Sequence, residues 1–309
     1  MSTALATPSS GRSFAMKLRA LPSLLVLLFG LSGFLRAQDA SKEGHFQTSA
    51  NASKQTAQEI EDIGEIDESE GFKSLRDKLR FNVSARAAYT TNALLQGSHS
   101  SSDVLFLPTI EAGFHTPLGQ HFSFDLSTRI ESASYAKYDD KGFMGYSALA
   151  TLDYKIKNGL PRVYVSIEPY RYDSYDTGNL LSEAIGFTGG TDWGFAFNGG
   201  RTLGFVGYSF TNYVSDPGID SRNVHRAVIG MAHQIRSNLT GQLYGVYEFS
   251  DYTRFNREDS KYTIAGNLIY QFNKNWFGSL TAAWMSNNSD EEHASYESFS
   301  TSLGLNLQF

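Results

Sequence analysis

The chain contains no cysteine. That excludes disulfides, cysteine-ligated zinc, a thiol nucleophile and the lipidated cysteine that begins a lipoprotein. Long apolar runs are also missing. Beyond residue 40 no stretch approaches the roughly 18 apolar residues that a spanning helix needs, so any membrane span in the mature chain is built of strands. Positive charge is scarce as well, with 26 Lys and Arg against 32 Asp and Glu. No basic stripe is available to neutralise phosphates, which excludes nucleic acid as a partner. What the chain has in quantity is 17 Tyr, 22 Phe and 28 Gly with only 7 Pro, a mixture that suits short amphipathic strands.

The amino-terminal region reads as a targeting segment. Lys17 and Arg19 precede an apolar core from Leu21 to Leu35, and Ala37 is a small residue suited to the position before cleavage. The expected signal peptide is 1–37, with a cut near Ala37–Gln38. A short membrane anchor is the alternative, but Pro22, Gly30 and Gly33 interrupt the core. Removing 1–37 takes away Arg12, Lys17, Arg19 and Arg36 and no acid, leaving 22 cations against 32 anions, a net charge of −10. Residues 38–79 read as a polar, acidic periplasmic linker, partly disordered, with Ile60, Ile63 and Ile66 spaced for one thin helical stripe.

From about residue 80 to 309 the pattern changes to short alternating segments broken by turn residues. Strands are expected at 80–95, 103–116, 121–136, 142–157, 161–175, 190–200, 203–215, 223–236, 239–251, 260–273, 275–287 and 296–309. Tyr262, Ile264, Leu268, Tyr270 and Phe272 share one face of their strand, and Met144, Tyr146, Leu152 and Tyr154 share one face of another. Connections alternate short and long. The short ones are 117–120, 158–161, 199–202, 237–238 and 273–275. The long ones are 96–102, 137–141, 176–189, 216–222, 252–259 and 288–295. This rhythm suits an antiparallel, up-and-down transmembrane β-barrel of about twelve strands, with short periplasmic turns and longer outer loops. The last strand carries Leu303, Leu305, Leu307 and Phe309 on one face and ends on that aromatic. It resembles the terminal strand that bacterial outer-membrane barrels present to their assembly machinery. The chain is therefore expected in the outer membrane of a Gram-negative cell envelope, surrounded by lipid and lipopolysaccharide, with both termini periplasmic.

The polar faces define an expected lumen: Arg86, Glu111, Asp125, Arg129, Glu131, Asp153, Lys155, Glu168, Arg226, Gln242 and Glu248. A one-residue slip would turn these into lipid, so the faces are strongly specified. Tyr154, Trp193, Tyr208, Tyr270, Trp276 and Trp284, with Tyr89 and Tyr247, are placed for interfacial girdles. The residues give no support for an enzyme. There is no Gly-x-Ser-x-Gly, and His99 among Ser98 and Ser100 sits in a loop rich in serine. His225 and His233 lie on one strand face, too far apart to share a metal. His115 and His121 flank a turn and could meet across it, but a polar turn is the better reading, so no metal or cofactor is expected. Asp139-Asp140, Glu258-Asp259 and the 290–292 acids read as solvated loop charge.

The segment Tyr89–Phe114 opens with Tyr-x-x-Asn (Tyr89, Asn92), runs through a polar loop to Ser102 and Asp103, and enters a strand with Pro108 in its middle. With Arg257–Trp276 and the closing strand, this is similar to the putative β-barrel porin 2 family. The resemblance implies an outer-membrane barrel without catalytic residues, sometimes associated with surface-polysaccharide systems. Two functions follow as expectations. One is porin-like, passive or weakly selective transport of small solutes or saccharides. The other is a structural or assembly barrel without transport, with polysaccharide-export partners.

Overall fold

The computed structural model describes residues 79–95, 101–156, 161–216, 218–254, 256–291 and 294–309. The expected signal peptide and the acidic tract up to residue 78 lie outside the described residues. Twelve strands follow in order: β1 (Leu79–Thr90), β2 (Asp103–Leu118), β3 (Phe122–Tyr135), β4 (Phe143–Lys155), β5 (Arg162–Ser174) and β6 (Leu180–Phe197). The second half comprises β7 (Thr202–Ser215), β8 (Arg222–Arg236), β9 (Leu239–Tyr252), β10 (Arg257–Gln271), β11 (Trp276–Ser289) and β12 (Tyr296–Gln308). Each pairs antiparallel with its neighbours in sequence, and β12 closes on β1, from Asn82 opposite Gln308 to Thr90 opposite Ser300. The Phe309 amide donates to the Phe81 carbonyl at 2.9 Å, so the last residue is held in the seam. Among the described residues no strand edge is left open. Twelve strands about 4.8 Å apart and tilted by about 40° give a backbone cylinder roughly 24 Å across.

The barrel is apolar on the outside and polar on the inside. Its exposed large hydrophobic residues fall on one parity of each strand: Phe81 and Val83 on β1, Phe106 and Ile110 on β2, Leu126 and Ile130 on β3, Leu243 and Tyr247 on β9, Leu303 and Leu305 on β12. The intervening positions are shielded and carry the charged and hydroxyl groups. From Tyr262 on β10 to Phe272 just past its end is ten residues, which at about 3.3 Å rise and about 40° tilt covers roughly 25 Å, the height of an outer-membrane apolar band. The chain's three tryptophans, Trp193, Trp276 and Trp284, all lie on this outer face, as do Tyr154, Tyr208 and Tyr270.

Both Leu79 and Phe309 lie at one rim, here the lower, with connections 119–121, 156–161, 198–201, 237–238 and 272–275. The upper rim carries 91–102, 136–142, 175–179, 216–221, 253–256 and 290–295. The expected strict alternation of lengths is softened at two places. The long connection expected at 176–189 is five residues, because β6 begins at Leu180 and runs for 18 residues. Glycines in 186–190 suggest a loop in the sequence, but they sit in a regular strand, with Gly186 under the Tyr213 ring of β7 and Gly190 under the Tyr164 ring of β5. The connection expected at 252–259 shrinks to 253–256, and Asp259 moves from a loop onto the inner face of β10. Strand β1 stops at Thr90 rather than reaching residue 95. Leu95 takes a φ of 50° and buries its side chain with Met285 and Tyr296. At the β6–β7 turn Gly199 and Gly200 have φ of 65° and 83°, a region that a Cβ would strain.

Candidate functional site

The candidate site is the inner wall. The alternation places Arg86, Glu111, Asp125, Arg129, Glu131, Asp153, Lys155, Glu168, Arg226, Gln242 and Glu248 all on the inward parity of their strands. What the sequence could not supply is how they are grouped. They do not form one ring. They lie in rows that follow the cross-strand register, because the inner side chains lean along the wall and meet residues one or two strands away.

Glycine makes this possible. Gly145 pairs with Tyr172, and a Cβ there would lie 2.5 Å from the tyrosine ring. The ring instead lies over Gly145, and its hydroxyl donates to Glu131 Oε1, two strands away, at 3.0 Å. Tyr164 crosses Gly190 in the same way, with its hydroxyl directed at Ser209 on β7. Tyr213 crosses Gly186 and Phe205 crosses Gly230. A flat ring covers a glycine that would otherwise weaken the strand. It also keeps the tyrosine against the wall instead of across the barrel.

One row on β5–β10 reads Tyr164, Gly190, Ser209, Arg226, Glu248, Lys261, each opposite the next in register. Glu248 accepts from Lys261 Nζ at 2.5 Å. A row nearer the upper rim reads Gly186, Tyr213, Arg222, Tyr252, Arg257. Here guanidinium groups stack on rings: Arg222 lies 5.1 Å from the Tyr213 centroid and 5.5 Å from Tyr252, and Arg257 lies 4.5 Å from Tyr252. Arg257 also binds Asp259 through Nη2 at 2.6 Å.

A separate belt crosses β1–β6 near the lower rim. Arg80 Nη2 is 3.6 Å from Asp125, and His115 Nδ1 is 2.9 Å from the same carboxylate. Arg162 lies between Asp153 at 3.2 Å and Asp192 at 2.6 Å. Higher on the same side, Arg129 pairs with Glu111 at 3.5 Å. By contrast β9–β11 present amides and hydroxyls at the lower level. Thr281 donates to Asn267 at 3.1 Å, and Asn267 donates to Gln242 at 3.4 Å. Between the two sides, Arg86 on β1 interacts electrostatically with Tyr244 on β9 and with Arg129 and Glu131 on β3.

Arg80, Arg162, Asp192, Arg222, Arg257 and Lys261 were absent from the expected set. Their parity was readable: Arg162 matches Glu168, and Lys261 opposes Tyr262. Tyr164, Tyr172, Tyr213 and Tyr244 carried no such signal, since a tyrosine suits either face. His115 and His121 do not meet across their turn. His115 turns inward to Asp125, whereas His121 takes the Lys155 carbonyl at 3.0 Å and the ring of Tyr154.

The upper interior on β1–β6 is apolar. Leu105, Leu107, Ala133, Tyr135, Phe143, Tyr170 and Tyr172 form one buried cluster. The residues of the opening motif brace it. Asp103 accepts from the amides of Val104, Lys137 and Tyr138 at 2.7–3.2 Å, tying the β3–β4 connection to β2. Asn92 Nδ2 donates to the Glu297 carbonyl at 3.0 Å, tying the segment after β1 to β12. Pro108 stands on the outward face of β2, opposite Ala85 of β1.

A closed, even-numbered antiparallel barrel with an apolar exterior and charged interior rows has the architecture of a transmembrane β-barrel. Residues 170–309 match the model of the family described as putative beta-barrel porin 2. That match begins within β5 and includes the Arg257–Trp276 segment and the closing strand, while the opening motif precedes it. No curated protein matches the chain. Among solved structures, an outer membrane channel from Pseudomonas putida F1 superimposes with a TM-score of 0.52 at 11% identity, covering 79% of this chain and 100% of that one. The KdgM porin gives 0.44 at 11% identity over 74% and 99%. The outer membrane channel DcaP of Acinetobacter baumannii gives 0.43 at 13% identity over 78% and 100%.

Proposed function

We propose that the protein is a porin-like barrel through which small polar solutes, saccharides among them, cross the outer membrane passively and with weak charge selectivity. One observation carries this reading: the inner wall holds cations and anions in interleaved rows, folded against the wall by glycine-backed rings. Interleaving cancels most of the field along the axis, so ions of either sign meet only local barriers. Arg86, Asp125, Arg129, Glu131, Glu168 and Arg226 line the path. No step requires a catalytic group. An export signal delivers the chain, Leu303, Leu305, Leu307 and Phe309 serve the assembly machinery as its recognition strand, and both ends face the periplasm. Lipid and lipopolysaccharide contact the outer face.

The test is conductance of the purified, refolded barrel in a planar bilayer. Stable current steps are expected, with a small reversal potential in a salt gradient. Absence of current at any voltage would falsify the channel reading. The buried apolar cluster in the upper interior favours a second reading, a structural or assembly barrel serving surface-polysaccharide export. A silent but correctly folded barrel, recognised by heat-modifiable gel mobility, would favour it.

A further inference from the structure

The row Tyr164–Lys261 holds two cations, Arg226 and Lys261, against one carboxylate, Glu248. Arg226 stands between Ser209 and Glu248 in register, but Glu248 is taken by Lys261. Arg226 makes no ion pair with any described residue. On one side Glu248 feels both Arg226 and Lys261, and on the other Ser209 offers a hydroxyl. Tyr164 reaches over Gly190 toward Ser209, beside the guanidinium. Tyr244, one strand on, feels both Arg226 and, from β1, Arg86. A guanidinium is a planar fork suited to a carboxylate, and flanking hydroxyls donate or accept as required. The Tyr164 ring, lying over Gly190 at the same level, presents an apolar face on which a ring-shaped solute can rest.

We propose that Arg226, with Tyr164 and Ser209, forms a solute subsite in the lumen that selects a small organic carboxylate, an acidic monosaccharide being the class that uses both the guanidinium and the flat ring. This inference rests on the channel reading for its purpose, though not for its measurement. The weak selectivity of the whole barrel and the local preference of the subsite are compatible, because balanced rows set the first and the one cation in excess within this row sets the second.

Sodium glucuronate and glucose are matched probes, alike in size and differing in the carboxylate. Their binding to the folded, detergent-solubilised barrel is measured by titration calorimetry, and their block of potassium chloride current is measured in a bilayer. Wild type is expected to hold glucuronate about tenfold more tightly than glucose, the share of one charge-assisted bidentate contact. Arg226→Gln should erase that difference, Arg226→Lys should restore part of it, and Tyr164→Phe should weaken both sugars alike. Gel mobility before and after boiling identifies any variant that fails to fold, and Ser209→Ala then serves as the second variant, expected to weaken glucuronate more than glucose. Equal binding of the two sugars by wild type, or a preference for glucuronate that survives Arg226→Gln, overturns the proposal. Glucuronate binding through Arg226 in a barrel that carries no current would retain the site and sink the channel reading.

Discussion

Gly189 and Gly190 are neighbours on β6 and face opposite ways. A Cβ on Gly189 would meet nothing within 4 Å, whereas one on Gly190 would lie 2.5 Å from the Tyr164 ring and hydroxyl. The same contrast runs round the barrel. The outer wall needs only to be apolar and of the right height, because lipid is a solvent without preferred partners. The inner wall is a set of particular contacts fixed by register, where each residue has an assigned neighbour. One wall tolerates change of shape and resists charge. The other tolerates charge and resists change of shape.

The largest effect should come from breaking the outer rule. Leu243 sits mid-strand on the outer face at 56% exposure. Leu243→Arg should destabilise the barrel by about 2–4 kcal/mol in lipid vesicles, the cost of arginine near the bilayer midplane. Ser302→Arg on the inner face of β12 should cost under about 1 kcal/mol in the same denaturant titration, since lumen positions tune selectivity more than stability. Next comes the inner rule. Gly190→Ala forces the Tyr164 ring off the wall and should cost about 1–3 kcal/mol, as overpacked sites do. Gly189→Ala on the adjacent position should stay within about 0.5 kcal/mol of wild type. Equal costs for the two glycines would contradict the contrast between the walls.

Smaller effects belong to single inner charges. Arg129→Ala and Glu131→Ala should shift the reversal potential in opposite directions, toward cations and toward anions respectively, with little change in unfolding midpoint. A reversal potential that ignores both would remove these two residues from the path and leave the barrel reading intact. Smallest is a passive readout. All three tryptophans are outward, so brominated lipid should quench most of the native fluorescence, while an aqueous quencher should reach little of it. The reverse pattern would place those tryptophans away from lipid.

Most of the fold was legible because period-two alternation survives even where strand ends do not. The twelve strands, the closing pair β1–β12 and the parity of residues such as Asp125, Arg129 and Glu248 follow from which face each residue takes. Two things were hidden. The first half of β6 looked like loop because Gly186, Gly189 and Gly190 lower strand propensity, and the rings that compensate come from other strands. The grouping of charges was hidden because it depends on register between strands. Nothing near Arg162 in sequence reveals that Asp153 and Asp192 flank it. Leu95 was misplaced for a related reason: its apolar side chain continues the strand pattern, but it is buried against Met285 and Tyr296 at the far end of the chain.

The central claim is that one face of every strand meets water and the other meets lipid. The absence of cysteine allows a direct measurement, because single cysteines can be introduced along β12 without removing any. Barrels reconstituted in vesicles, each with one cysteine from 300 to 306, would be exposed to a charged, water-soluble thiol reagent. The account predicts fast labelling at Ser300, Ser302 and Asn306, and slow labelling at Leu303 and Leu305. Uniform labelling along the strand, or fast labelling at Leu303 and Leu305 with protection at Ser302 and Asn306, would contradict it.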